Sequence, residues 1–163
     1  MKEFFLGHFF LLCLVLSIFC GGLQAKQSKW NALRVMSFNI RLGVANDGEN
    51  RWDLRKDLVV KTIRDYNPDL LGLQEVFPMQ EEYLRKNFPD YLYYGRSRLV
   101  NPKDGEACSV MFRKERFEAI KKTTFWLSET ENEPGSKSWD SSLPRIANIV
   151  HLQDKQADGG KSS

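Results

Sequence analysis

A chain of 163 residues that is 42% hydrophobic and 28% charged is neither disordered nor fibrous, and it has room for one ordinary domain. Its 24 Lys and Arg against 21 Asp and Glu leave a net charge of +3. That excess falls short of the dense basic surface of a dedicated nucleic-acid-binding domain, so it is no evidence for specific nucleic-acid binding and neither demands nor excludes DNA.

In chain order the first feature is Lys2 followed by an almost continuously apolar stretch from Phe4 to Cys20, then Leu23-Gln24-Ala25. A charged start, an apolar centre and a small residue at the end read as a cleaved signal peptide over residues 1–25. An uncleaved anchor is the alternative, but Gly7, His8 and Ser17 interrupt a stretch already short for about 30 Å of hydrocarbon. Removing 25 of 163 residues leaves 138 and the same net charge, since Lys2 and Glu3 cancel. The expected destination is secreted or periplasmic. Cysteine use agrees: Cys13 and Cys20 fall in the leader, so Cys108 has no internal disulfide partner.

Leu33 to Ile40 reads as a buried strand, and the Gly- and Asn-containing segment from Arg41 to Asn50 as a loop. A helix is expected from Trp52 to Tyr66, with Leu54, Leu58, Val59, Ile63 and Tyr66 along its inner face. Asn67-Pro68 ends it. Asp69 to Glu75 reads as a second buried strand, and a short helix through Met79, Tyr83 and Leu84 stops at Phe88-Pro89. Later strands are expected at Tyr91–Tyr94, Ala107–Arg113, Phe117–Leu127 and Arg145–Leu152, with a long polar loop from Ser128 to Ser142. Residues 155–163 read as a polar tail. Strand, helix, strand, helix and then strands place the chain in the α/β or α+β class, the first two strands being parallel neighbours.

The composition limits the chemistry. His151 is the only histidine after the leader, and the P-loop, G-x-G-x-x-G and H-E-x-x-H patterns are absent. Two polar residues interrupt otherwise apolar strand ends, Asn39 and Glu75. Parallel neighbours would bring them to one rim, where α/β sheets gather ligands. A carboxylate beside an amide there begins a site for a hard, oxygen-seeking cation, although a solvated strand-end glutamate is the commoner case. Arg145 could grip a phosphate or merely cap a strand. Trp139, with Asp140, could line a cleft or pin its loop. Glu106 opens a strand and could sit near a functional face or equally well in a solvated turn, and His151 reads as structural or exposed.

The strings MSFNIR at Met36–Arg41, PDLLGLQEV at Pro68–Val76, GEACSVMFRKERFE at Gly105–Glu118 and FWLSETENEPGSKSWDSSLPR at Phe125–Arg145 together resemble the endonuclease/exonuclease/phosphatase superfamily, in its secreted bacterial branch. The resemblance covers residues 33–154. It implies the N-terminal half of a four-layer α/β/β/α sandwich, with one mixed sheet and flanking helices. It also implies a phosphoesterase that uses Mg2+ or Mn2+ on a phosphomonoester or phosphodiester substrate. In that reading Glu75 matches the metal-binding glutamate of the Q-E motif, and Asn39 the asparagine that positions metal and phosphate. Both are then catalytic residues, with Arg145 and Trp139 as candidate substrate contacts. The N-T-H-L-D, G-D-x-N and S-D-H strings that the resemblance implies for the remaining machinery do not occur here. The expectation is therefore a truncated domain, inactive alone, whose partner would be a complementing C-terminal half. The alternative is a non-catalytic binding module that uses an exposed sheet face.

Overall fold

A computed structural model describes residues 32–157. The leader expected over 1–25 and the end of the polar tail lie outside the described residues. The elements are β1 (Val35–Asn39), α1 (Trp52–Tyr66), β2 (Leu70–Val76), α2 (Pro78–Asn87), β3 (Tyr91–Ser97), β4 (Ala107–Arg113), β5 (Phe117–Trp126) and β6 (Ile146–Asp154), with one 3-10 turn at Gly48–Asn50. Among the described residues no helix is long and apolar enough to cross a membrane.

Four strands form a mixed sheet in the order β1-β2-β4-β3. β1 and β2 run parallel, with Asn39 opposite Gln74, while β4 is antiparallel to both of its neighbours. This is the expected α/β class, a mixed sheet flanked by helices.

Period-two alternation sends Leu71, Leu73, Met111 and Tyr93 to one face, where they meet Val59, Val60 and Ile63 of α1 and Leu84 of α2. Ile63, Leu71, Leu73 and Leu84 are each at most 1% exposed, and burying such a side chain contributes about 2 kcal/mol. α1 ends at Asn67, which takes the left-handed conformation at φ 53° and donates its N–H to the Ile63 carbonyl. Pro78 occupies the first turn of α2, where its missing N–H costs nothing.

The inner face of α1 differs from the expected one. Leu54 and Leu58 are 57% and 64% exposed, whereas Trp52, Val59, Val60 and Ile63 are buried. The helix carries two apolar stripes on opposite sides, since residues advance by 100°. The stripe with the larger side chain, Trp52, faces inward, and its ring packs edge-on against Tyr83 at 5.9 Å.

β5 and β6 form a separate antiparallel pair. It docks on the side away from the helices: the Tyr94 hydroxyl lies 2.9 Å from Thr124 Oγ1, Trp126 Nε1 donates to the Arg98 carbonyl at 2.8 Å, and Asn148 Nδ2 donates to the Cys108 carbonyl. The face expected to be bare is thus partly covered over β3 and β4. It remains open at Val35 and Leu92, which are 55% and 43% exposed.

At the opposite end of the sheet, buried Arg116 clamps the two layers. Its Nη1 is 3.0 Å from Asp69 Oδ2, at the start of β2, and its Nη2 is 2.9 Å from Asp154 Oδ2, at the end of β6. The hydrogen bond from Arg116 holds the Asp154 carboxyl below its ordinary pKa. A depressed carboxylate adds stability above the unfolded value of about 4, and that contribution is lost as the pH falls through the folded value. Arg116→Met removes the cation shared by two part-buried carboxylates, which keep the Arg34 and Gln156 N–H groups, and is expected to cost about 1–3 kcal/mol in urea denaturation at pH 7. Asp154→Asn should flatten the loss of stability between about pH 5 and pH 2 relative to wild type; an unchanged acid slope would show that the clamp does not set it.

Candidate active site

β1 and β2 end side by side, and their terminal side chains meet. Asn39 Nδ2 donates to Glu75 Oε1 at 2.9 Å. The other oxygen, Oε2, accepts the Leu42 N–H at 3.0 Å, and the Asn39 Oδ1 accepts the Arg41 N–H at 2.8 Å. Both side chains are therefore oriented by backbone from the loop that follows β1.

Simple alternation in β2 would turn Glu75 to the helix side with Leu71 and Leu73. A bulge prevents this: Gln74 and Glu75 together stand opposite Cys108, between the registered pairs Leu73↔Ser109 and Val76↔Ala107. Glu75 sits at φ 61°, and Val76, 1% exposed, takes the core position in its place. A non-glycine residue in this conformation costs on the order of 1–3 kcal/mol, which the surrounding packing must offset.

The loop is fixed from two helices. Gln80 of α2 is fully buried; its Oε1 accepts the N–H groups of Gly43 and Phe77, both at 2.9 Å, and its Nε2 donates to the Arg41 carbonyl at 2.8 Å. A side chain on Gly43 would place its Cβ 2.8 Å from Gln80 Cδ, so this approach requires glycine. From α1, Arg55 donates to the carbonyls of Ile40 at 2.6 Å and Arg41 at 3.0 Å. Arg41 itself makes a two-bond pair with Asp47, whose carboxyl that bond holds below its ordinary pKa.

A cavity of about 340 Å³ opens at this rim. Asn39, Gln74 and Glu75 line it from the sheet, Arg98 and Glu106 from the β3–β4 connection, and Leu127, Arg145 and Ile146 from the β5–β6 pair. Asn39, Glu75 and Arg145 are thus brought together. Trp139 is not: it is 69% exposed, at φ 53°, and lies outside the lining.

Sequence reasoning missed Arg98 and left Glu106 open between a place near the active face and a solvated turn. The two form an ion pair with only 19% and 20% of their side chains exposed. They flank Ser97↔Ala107, the last pair of the β3–β4 hairpin. Carrying the expected strand on from Tyr94 to Ser97 would have put them opposite each other. Cys108 also lines the cavity, and burial pushes its thiol above the ordinary pKa, so it is a poor nucleophile.

Among the described residues no three His, Cys, Asp or Glu side chains cluster as a metal cage. The donor chemistry nonetheless fits a hard divalent cation. Mg2+ keeps several waters and is commonly held by one or two carboxylates plus substrate phosphate. Each Glu75 oxygen accepts one hydrogen bond from the protein and keeps a lone pair for an ion.

The sequence pattern of the endonuclease/exonuclease/phosphatase family matches residues 36–148, which include Asn39, the bulge and Arg145. The chain belongs to that family. Enzymes of this family generally use divalent metals. An endonuclease/exonuclease/phosphatase from Bacteroides vulgatus is 36% identical with a TM-score of 0.73, over 76% of this chain and 47% of that one. A mannosyl-6-phosphatase from Bacteroides thetaiotaomicron is 32% identical with a TM-score of 0.72, over 79% and 48%. The human Nocturnin catalytic domain shares the fold at 23% identity and a TM-score of 0.56, over 77% and 45%. The chain thus spans just under half the length of these structures. No curated protein sequence matches it significantly.

Gln80→Ala leaves the Gly43 and Phe77 N–H groups and the Arg41 carbonyl without their partner. It is expected to cost about 2–4 kcal/mol in urea denaturation, because buried polar groups lose their bonds. Gln80→Glu should be no milder in neutral buffer, because it buries a carboxylate without a cation and turns one of its oxygens toward the Arg41 carbonyl. Equal stability of wild type and both variants would show that the amide does not hold the loop.

Proposed function

We propose that this chain supplies the metal- and phosphate-holding half of a divalent-metal-dependent phosphoesterase site, and that alone it turns phosphoesters over slowly or not at all. The observation that carries this reading is the Asn39–Glu75 pair, locked at parallel strand ends and facing the same cavity as the Arg145 guanidinium. Family membership supports the reaction class, and the similarity to a mannosyl-6-phosphatase supports a phosphoester substrate.

Glu75 would hold the cation, with Asn39 fixing the carboxylate by its amide hydrogen. A bound Mg2+ or Mn2+ polarises the phosphate and stabilises the leaving oxygen. Arg145 has no carboxylate partner among the described residues, so its fork of donors is free to bind phosphate oxygens. What the lining lacks is a base matched to neutral pH. Among the described residues it contains no histidine, Glu106 is ion-paired with Arg98 through one oxygen, and burial raises the pKa of the Cys108 thiol. A bound phosphate would therefore be positioned without a group to activate water, which is the physical ground for slow turnover. The leader pattern from Lys2 to Ala25 supports an extracytoplasmic phosphoester as the substrate.

Titration calorimetry with Mg2+ and Mn2+ tests the assignment. Wild type should bind, and Glu75→Gln, which keeps the shape but not the charge, should bind at least about tenfold more weakly. Equal titrations would remove Glu75 from the metal site. Hydrolysis of p-nitrophenyl phosphate and its diester should stay near background in both proteins. Metal-dependent turnover that disappears in Glu75→Gln would overturn the half-site reading and establish a complete enzyme.

A further inference from the structure

We propose that the Arg98–Glu106 pair is a hydroxyl-reading subsite, which selects phosphorylated sugars and other polyol phosphates over deoxynucleotides and simple alkyl phosphates. This rests on the phosphoester reading of the cavity and names its substrate class. The two cationic groups in the lining differ in what they have left to offer. Arg145 is exposed and carries an uncompensated charge, which suits a phosphate. Arg98 is neutralised by Glu106, so the pair offers no net charge to an anion.

The pair instead offers directional hydrogen bonds. Among the described residues, Arg98 commits Nη1 to Glu106 Oε1 and has further guanidinium N–H groups available. Glu106 keeps Oε2 as a strong acceptor. A donor fork beside an acceptor matches vicinal hydroxyls, each of which both gives and takes a hydrogen. Because both side chains are largely buried, a ligand hydroxyl that satisfies them gains more than it would at the surface. The backbone beneath is rigid, since the Arg98 carbonyl accepts Trp126 Nε1 at 2.8 Å and the Ser97↔Ala107 pair closes the hairpin.

The rest of the lining agrees. Gln74 and Asn39 add amides, and the apolar members Ala107, Leu127 and Ile146 are aliphatic. No aromatic ring is among the described lining residues, so they provide no stacking platform for a base.

The pair also staples the β3–β4 hairpin, so the test reads selectivity rather than stability. The full chain with Mg2+ is titrated with mannose 6-phosphate, methyl phosphate and thymidine 5′-monophosphate. Wild type should bind mannose 6-phosphate about tenfold or more tightly than methyl phosphate, the effect expected of one or two charge-assisted bonds, and more tightly than the nucleotide. In Glu106→Ala the ratio should collapse to about threefold or less, while methyl phosphate binds as well as before or better, because Arg98 regains its charge. Should that variant unfold on thermal melting, Arg98→Lys, which keeps the charge but loses the fork, should collapse the ratio likewise. Wild type binding methyl phosphate as tightly as the sugar phosphate, with both lost in Glu75→Gln, would overturn this subsite and leave the phosphoester reading standing. Preference for the nucleotide would overturn the subsite too. Failure of every phosphate to bind would overturn the phosphoester reading and this inference with it.

Discussion

The geometry of the strand ends hangs on a carboxamide that touches neither of them. Asn39 and Glu75 are held by the N–H groups of Arg41 and Leu42, and those belong to a loop whose only regular structure is one 3-10 turn. Such a loop has no reason of its own to hold two amides in place. Gln80 supplies one from beneath, by accepting from Gly43 and donating to Arg41, while its second acceptor bond ties it to the start of α2. The order of dependence runs from the sheet to the helices, from the helices to the loop, and from the loop to the site. A polar side chain at zero exposure survives only when its bonds are made, so this part of the core is specified by direction as well as by volume.

The bulge at Gln74–Glu75 resolves a conflict between core and site. The sequence Leu71-Gly72-Leu73-Gln74-Glu75-Val76 follows strand alternation until Glu75, which would then enter the apolar layer. A buried unpaired carboxylate costs far more than a strained backbone. Inserting one unpaired residue moves Val76 into the core and sends Glu75 to the rim. The positive φ at Glu75 is thus the smaller of two costs.

Much of the fold was legible because it follows local periodicity. The bounds of α1 and of β4 agree with the sequence reading to the residue, and the parallel pairing of β1 and β2 follows from the helix between them. The family was legible in strings that lie on β1, β2 and β4. What escaped depends on partners distant in sequence. The choice between the Leu54–Leu58 stripe and the Trp52–Val59–Ile63 stripe is made by the sheet, because either alone satisfies helical spacing. Ending β3 at Tyr94 concealed the pairing that opposes Arg98 to Glu106, and a bulge leaves no mark in composition. Trp139 looked like a cleft residue because it is aromatic and near Arg145; the loop turns it outward instead.

The cavity has a wall from each layer, and this makes its shape a property of their docking. Asn39 and Glu75 stand on the four-stranded sheet, whereas Arg145 and Leu127 ride on the β5–β6 pair. The separation of the Glu75 carboxylate from the Arg145 guanidinium is therefore set by how the pair lies on β3 and β4. Near the site that position is fixed by Trp126 on the Arg98 carbonyl and Asn148 on the Cys108 carbonyl; at the far end it is fixed by Arg116 between Asp69 and Asp154. The near contacts grip backbone carbonyls of β4 and of the β3–β4 connection, so they are indifferent to side-chain identity there. Arg98 and Glu106 are in consequence free to serve a ligand, because the carbonyl of Arg98 rather than its guanidinium carries the docking.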